Sequence, residues 1–175
     1  MAYRPGKTCR DTDKPSWSRY SKRKPRKSFV KSRPHNALRH YDMGNEKDAY
    51  DVIIKLVCKD DVQLRANALE SARMTVSKYL QDNTQQNYRF KIHVFPFEVI
   101  RETKRQTGAG ADRVSSGMRK AFGRPTYRAV RLRKGQTLCS VKTFEKYENQ
   151  IKEAYRKAQS KLSKEYIIVK ESIKK

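Results

Sequence analysis

Hydrophobic and polar positions alternate in several short stretches of the chain, a pattern typical of strands that bury one face. In residues 50–57 the apolar side chains of Val52, Ile54 and Leu56 share one face. Residues 88–94 alternate apolar with basic positions, which predicts a strand with one face in water. The same criteria predict further strands over residues 97–100, 127–133, 137–141 and 166–169, the last being a continuous apolar run.

Two longer stretches repeat apolar residues every three or four positions and predict helices. The first stripe follows Asp60 and Gln63, which resemble a capping box, and consists of Val62, Leu69, Ala72, Val76, Tyr79 and Leu80. The second stripe follows Thr143, the expected cap, and consists of Phe144, Tyr147, Ile151, Ala154, Ala158 and Leu162. The order β-α-β-β, long loop, β-β-α-β predicts an α+β fold, with two helices packed on an antiparallel or mixed sheet.

Positive charge is concentrated in two parts of the 175 residues. The chain has 42 Lys and Arg against 18 Asp and Glu, a formal charge of +24. Residues 1–41 carry a net +11 and residues 101–134 a net +9, whereas residues 42–100 carry −1 and residues 135–175 carry +5. A charge this large disfavours the compact state unless a polyanion neutralises it, which indicates a phosphate-rich partner.

Residues 1–41 are predicted to be a basic N-terminal extension, and residues 42–175 a single α+β core domain. Prolines and charges leave the extension few residues for a core, so alone it is expected to be largely disordered. Its aromatic residues are suited either to stacking on unpaired bases or to anchoring the extension on the core. The RNA-binding side chains predicted from both basic blocks are Lys22, Arg23, Lys24, Arg26, Lys27, Arg33, Arg101, Lys104, Arg105, Arg113, Arg119, Lys120, Arg124, Arg128, Arg131 and Arg133.

Residues 101–125 form a long loop within the core that is rich in glycine and arginine. Glycines allow the backbone to approach a ligand closely, and arginines grip phosphate with two parallel hydrogen bonds. The loop lacks the third glycine of a dinucleotide-binding motif, and the chain has no GxxxxGK[ST] phosphate loop. With Glu102 and Asp112 as its only carboxylates, it is a poor candidate for a two-metal nuclease. We therefore expect neither a cofactor nor a bound metal.

The apolar runs and the cysteines of the sequence indicate neither a membrane or secreted protein nor a disulfide or zinc framework. The longest unbroken apolar run has four residues, far below the roughly 18–20 of a membrane helix, and no secretory signal is expected. The three cysteines, Cys9, Cys58 and Cys139, are widely spaced and predict neither a disulfide framework nor a zinc site. The histidines are expected to face RNA or solvent.

A long string from 107 to 125 reads Thr-Gly-Ala-Gly-Ala-Asp-Arg-Val-Ser-Ser-Gly-Met-Arg-Lys-Ala-Phe-Gly-Arg-Pro. Together with residues 42–45, 63–73 and 90–96, it resembles the universal large-subunit ribosomal protein sixteen family. The similarity extends over nearly the whole chain and is greatest to the archaeal and eukaryotic branch, ribosomal protein ten-e. The Thr-Gly at 107–108 is archaeal in style.

This resemblance implies an α/β-hammerhead fold and a non-enzymatic, cytoplasmic role as a structural constituent of the large ribosomal subunit. It implies contacts with large-subunit rRNA, with tRNA at or near the A and P sites, with neighbouring ribosomal proteins and with assembly factors, but not with a membrane. The loop near the peptidyl transferase centre would include Thr107, Gly108, Ala109, Gly110, Ala111, Asp112 and Gly117. The alternative from the residues alone is an RNA-processing enzyme with its active site around Asp112.

Overall fold

The computed structural model describes residues 12, 31–46, 49–102, 109 and 123–173. Its helices are α1, Ala66–Thr84, and α2, Glu148–Gln159, the second preceded by a 3-10 turn at Glu145–Tyr147. Its strands are β1 Asp42–Gly44, β2 Val52–Cys58, β3 Val62–Arg65, β4 Tyr88–Ile92, β5 Glu98–Glu102, β6 Arg124–Leu132, β7 Thr137–Thr143 and β8 Tyr166–Ser172. Among the described residues, neither helix is both long and apolar enough to cross a membrane.

The strands form two sheets. One has five strands in the order β1-β4-β7-β2-β8, and the other has three in the order β3-β6-β5. Every strand pair in the described chain is antiparallel. The predicted α+β class with two helices is therefore confirmed, although the strands divide between two sheets.

The main core lies between the helices and one face of the five-stranded sheet. Leu69, Val76 and Leu80 of α1 and Ile151 of α2 are buried there against alternate residues of the strands. Tyr155 of α2 is fully buried, and its hydroxyl donates a hydrogen bond of 3.0 Å to the carbonyl oxygen of Ile54. A buried hydroxyl needs such a partner because its desolvation is otherwise uncompensated.

The core also holds two free cysteines and one residue of the N-terminal segment. Burial raises the pKa of the Cys58 thiol to about 11 and that of Cys139 to about 12, so both remain protonated at neutral pH. Leu38 is only 1% exposed and belongs to the same hydrophobic cluster. Residues near the end of the predicted extension thus contribute to the packing of the core.

The predicted start of the first helix is wrong. Val62 lies in strand β3 rather than in a helix, because Val62 and Leu64 alternate with half-buried residues and pair with β6. The helix begins at Ala66, and its cap residue Arg65 makes no side-chain capping bond, so the proposed capping box at Asp60 and Gln63 does not form.

The predicted cap of the second helix is also wrong. Thr143 is the last residue of β7, and its hydroxyl donates to the carbonyl oxygen of Asn87 at 3.1 Å. The 3-10 turn separates it from α2, whose cap residue is Tyr147. The turn carries the chain from the end of the central strand β7 to the helix layer.

An ion cluster joins the start of α2 to β8. The Glu148 carboxylate lies 2.6 Å from the ammonium of Lys152 and 2.6 Å from that of Lys170. Its hydrogen bonds with these two lysines, first Lys152 and then Lys170, lower the pKa of Glu148 to about 2. The carboxylate therefore stays ionised well into the acid range.

Candidate nucleic-acid interface

Many of the predicted RNA-binding residues lie outside the described residues. They are the cations Lys22, Arg23, Lys24, Arg26, Lys27, Lys104, Arg105, Arg113, Arg119 and Lys120, and the loop residues Thr107, Gly108, Gly110, Ala111, Asp112 and Gly117. Ala109 is described, as an exposed turn residue. The remaining cations, Arg33, Arg101, Arg124, Arg128, Arg131 and Arg133, lie on or beside the three-stranded sheet.

The two ends of the Gly/Arg-rich loop are held together by β5 and β6. These strands pair in antiparallel register, with Glu102 opposite Arg124. Gly123 packs so closely that a Cβ atom there would lie 2.6–2.8 Å from the backbone atoms of Glu102. The Nε–H of Arg101 donates a 2.6 Å hydrogen bond to the carbonyl oxygen of Gly123. The loop therefore leaves and re-enters the fold at one tightly packed point.

The end of the N-terminal segment is anchored on the same sheet. The Nε–H of Arg128, in the middle of β6, donates a 2.6 Å hydrogen bond to the carbonyl oxygen of Pro34. The guanidinium of Arg33 lies 4.3 Å from the ring centre of Phe97, just before β5, in cation–π geometry. Because a guanidinium has five N–H donors, these contacts leave both arginines with donors for phosphate.

The half-exposed face of the three-stranded sheet carries further cations. The Nε–H of Arg131 donates to Oε1 of Gln63 at 2.9 Å, across the β3–β6 pair. The guanidinium of Arg65 lies 5.5 Å from the ring centre of Tyr127. Arg124 and Arg133, at the two ends of β6, are exposed. Arginine beside tyrosine provides planar groups on which bases stack as well as donors for phosphate.

The sequence predicts no functional role for Arg65 or Phe97. The helical pattern includes Arg65 and so does not predict its position opposite Ala129 on β6. The pattern at Phe97 predicts only a short strand, and its contact with Arg33 joins residues 64 positions apart. No local sequence pattern predicts either contact, because the first depends on the pairing of β3 with β6 and the second on where the N-terminal segment packs.

The described residues show no constellation suited to metal chemistry. Within that part of the chain, no group of three or more His, Cys, Asp or Glu side chains is placed to hold a metal ion. Nε2 of His93 lies 2.7 Å from the Ser140 hydroxyl, and Nε2 of His35 lies 2.8 Å from the Arg39 guanidinium. The arrangement is suited to binding anions through arginine and lysine rather than to coordinating a cation.

Known proteins of one family are similar to this chain. The model of the family "Ribosomal protein L16p/L10e" matches residues 17–169. The chain is 40% identical over 163 residues to the large ribosomal subunit protein uL16 of Methanococcus aeolicus, covering 93% of this chain and 90% of that protein.

Two further archaeal proteins with the same name are similar over most of their length. The Archaeoglobus fulgidus protein is 40% identical over 147 residues, covering 83% of this chain and 84% of its own. The Methanocella arvoryzae protein is 37% identical over 172 residues, covering 98% and 96%. The resemblance inferred from the sequence motifs is thus confirmed, and the chain belongs to the ribosomal protein L16p/L10e family.

Proposed function

We propose that this protein is a structural constituent of the large ribosomal subunit, where it binds rRNA and helps organise the A-site tRNA and peptidyl transferase region. One observation supports this role most directly. Both basic segments of the chain are attached to the three-stranded sheet: the loop through β5 and β6, and the extension through Arg128 and Arg33. The folded body therefore sets the direction in which each segment leaves.

In this proposal the extension at 1–41 and the loop at 101–125 neutralise phosphates along two rRNA surfaces. Each lysine or arginine that meets a phosphate releases a condensed counterion, which drives association entropically. The loop carries residues 107–112 and Gly117 toward the functional centre, where close backbone approach favours glycine and alanine over larger side chains. The chemistry of translation stays with the RNA, and the protein fixes the geometry of its neighbours.

The proposed partners are large-subunit rRNA, tRNA near the A and P sites, adjacent ribosomal proteins and assembly factors. We assign the fold to the α/β-hammerhead type that the family resemblance implies. The relatives are ribosomal proteins by name, which favours this role over an RNA-processing enzyme centred on Asp112. An enzyme of that kind would lose turnover on isolated RNA when Asp112 is replaced by Ala, with RNA binding intact.

Sedimentation of native ribosomal particles through a series of salt concentrations tests the proposal. We expect the chain to travel with the large subunit at low salt and to dissociate progressively as salt rises, because counterion release weakens with salt. A small-subunit protein followed in the same gradients controls for particle integrity. A chain that runs free of the large subunit even at low salt would refute the proposed function.

A further inference from the structure

Neither helix of the described residues covers one face of the five-stranded sheet, and register defines which residues share that face. Strand pairing aligns Arg89, Lys142, Ile53 and Glu171 in one row across β4, β7, β2 and β8. The next row consists of Asp42, Lys91, Ser140, Lys55 and Val169. Between these rows, Phe90, Val141 and Ile54 point to the other side and are buried under α1 and α2. We call the uncovered side the open face.

Two lysines of the open face make no ion pair with a carboxylate of the described residues. Arg89 pairs with Asp42 and with Glu46, at 2.7 and 2.6 Å, and Lys55 pairs with Glu171 at 2.5 Å. Lys91 lies opposite Asp42 in the register, but that carboxylate is already hydrogen-bonded to Arg89, and Lys142 lies on the adjacent strand β7. Because Asp42 is already bound, the ammonium groups of Lys91 and Lys142 favour an anionic ligand.

Neutral hydrogen-bonding groups lie beside these lysines. Ser140, opposite Lys91 in the register, is hydrogen-bonded to the His93 ring at 2.7 Å. Burial, followed by the positive charges of Lys91 and Lys55, lowers the pKa of His93, outweighing the opposite effect of Asp42. The ring is therefore neutral at pH 7, and the lysines supply the positive charge at this position.

An exposed aromatic ring lies beyond the end of β4. Exposed or half-exposed residues alternate with buried ones from Arg89 through Lys91 and His93 to Phe95, which is 51% exposed. The Phe95 ring stacks on Tyr41, with ring centres 5.7 Å apart and planes inclined by 28°. A large aromatic ring held in place by a neighbour and open to solvent is suited to stacking on an unpaired base.

A second exposed ring lies close to Phe95 in the sequence. Phe97, two residues after Phe95, is exposed, and the Arg33 guanidinium lies over its ring. Strand β4 and the residues that follow it therefore supply cations and aromatic rings within a short stretch of chain. This combination matches a nucleic-acid strand, whose phosphates need cations and whose bases need flat apolar surfaces.

We propose that the open face and Phe95, beyond the end of β4, form a second rRNA-binding surface, on which Lys91 and Lys142 contact backbone phosphates and Phe95 stacks on an unpaired base. The proposal rests on the proposed function, because it assigns the polyanion to large-subunit rRNA. It adds a surface formed by residues from outside the two basic blocks. The near-neutral segment 42–100 thereby supplies RNA-binding residues as well as core.

The test measures how the affinity of the full-length chain for large-subunit rRNA depends on salt. The double variant Lys91→Gln/Lys142→Gln removes two charges from the open face. Its matched control, Lys78→Gln/Lys161→Gln, removes two exposed lysines from the helical side. We expect the slope of log affinity against log salt to become shallower by about 1.4–1.8 units in the first variant, from roughly 0.7–0.9 for each of two phosphate contacts, and to stay unchanged in the control.

The variant Phe95→Leu separates stacking from charge. We expect its affinity to fall roughly five- to a hundredfold with an unchanged salt slope, since stacking on an aromatic ring contributes without releasing counterions. Thermal unfolding of each variant checks that these surface substitutions leave the fold intact. If the two lysine variants have equal salt slopes while the affinity of the wild type falls steeply with salt, this inference is overturned and the proposed function is not.

Two other outcomes are also decisive. Loss of incorporation into the large subunit by Lys91→Gln/Lys142→Gln, with its rRNA salt slope unchanged, would overturn the inference and indicate a protein partner for the open face. Absence of rRNA binding by the wild-type chain at low salt would instead overturn the proposed function.

Discussion

Replacement of Gly123 by Ala should loosen the base of the Gly/Arg-rich loop. The added Cβ atom would lie 2.6–2.8 Å from backbone atoms of Glu102, which a side-chain rotation cannot relieve. Overpacking of this kind costs about 1–3 kcal/mol. Separation of the strands also strains the hydrogen bond from Arg101 to the Gly123 carbonyl, worth about 1 kcal/mol at a half-buried site. We therefore expect the free energy of unfolding to fall by roughly 2–4 kcal/mol.

Urea denaturation of the isolated full-length chain measures this loss. With a slope of about 2 kcal/mol per molar urea, the midpoint should fall by roughly 1–2 M while the slope stays constant. Hydrogen exchange should accelerate at the amides of β5 and β6 first, because the clash lies between these strands.

Gly135→Ala provides a matched control in a turn away from the loop. A Cβ atom there meets nothing within 4 Å, but the backbone φ of +80° makes alanine strained by about 1–2 kcal/mol. Its faster exchange should be confined to the turn at 133–137. If Gly123→Ala leaves both the urea midpoint and the exchange of β5 and β6 unchanged, our description of a tightly held loop base is wrong.

Three further substitutions test the core, the ion cluster and the anchor of the extension. Tyr155→Phe should lower the free energy of unfolding by about 1–2 kcal/mol in urea denaturation, because the carbonyl oxygen of Ile54 loses its buried donor. Glu148→Gln should be less stable than the wild type above pH 5, and thermal scans should show the difference vanishing toward pH 2: a carboxylate whose folded pKa is about 2 loses its stabilising effect as pH falls through that value. Arg128→Lys keeps the charge but loses the Nε–H donor to Pro34, so limited proteolysis near residues 31–36 should accelerate; an unchanged cleavage rate would show that this bond does not anchor the segment.

Local sequence patterns predicted most of the strands and helices because apolar and polar residues lie on opposite faces of these elements. The alternation in β2 and β4 and the stripes of α1 and α2 each bury a continuous apolar surface, which a single window of sequence reveals. Strand β3 was misassigned because Val62 and Leu69 also fit a helical repeat, and only pairing with β6 makes residues 62–65 extended. Strand β1 was missed because its three residues are too short to show a period.

The candidate site was predictable in composition but not in arrangement. Charge counting identified Arg33, Arg101 and Arg128 as part of the basic surface, yet their contacts with Phe97, Gly123 and Pro34 depend on tertiary packing. The sequence did not predict the open face, for a different reason. The net charge of residues 42–100 is close to zero, and such a sum does not show that Asp42, the carboxylate opposite Lys91, is bound by Arg89.

The most direct test of the central claim is the stoichiometry of this chain in purified large ribosomal subunits, measured by quantitative mass spectrometry against large-subunit rRNA. We expect one copy per rRNA at low salt and a progressive loss as the particles are washed at higher salt. A purified large subunit that contains no copy of the chain at low salt would contradict the claim that this protein binds and positions ribosomal RNA.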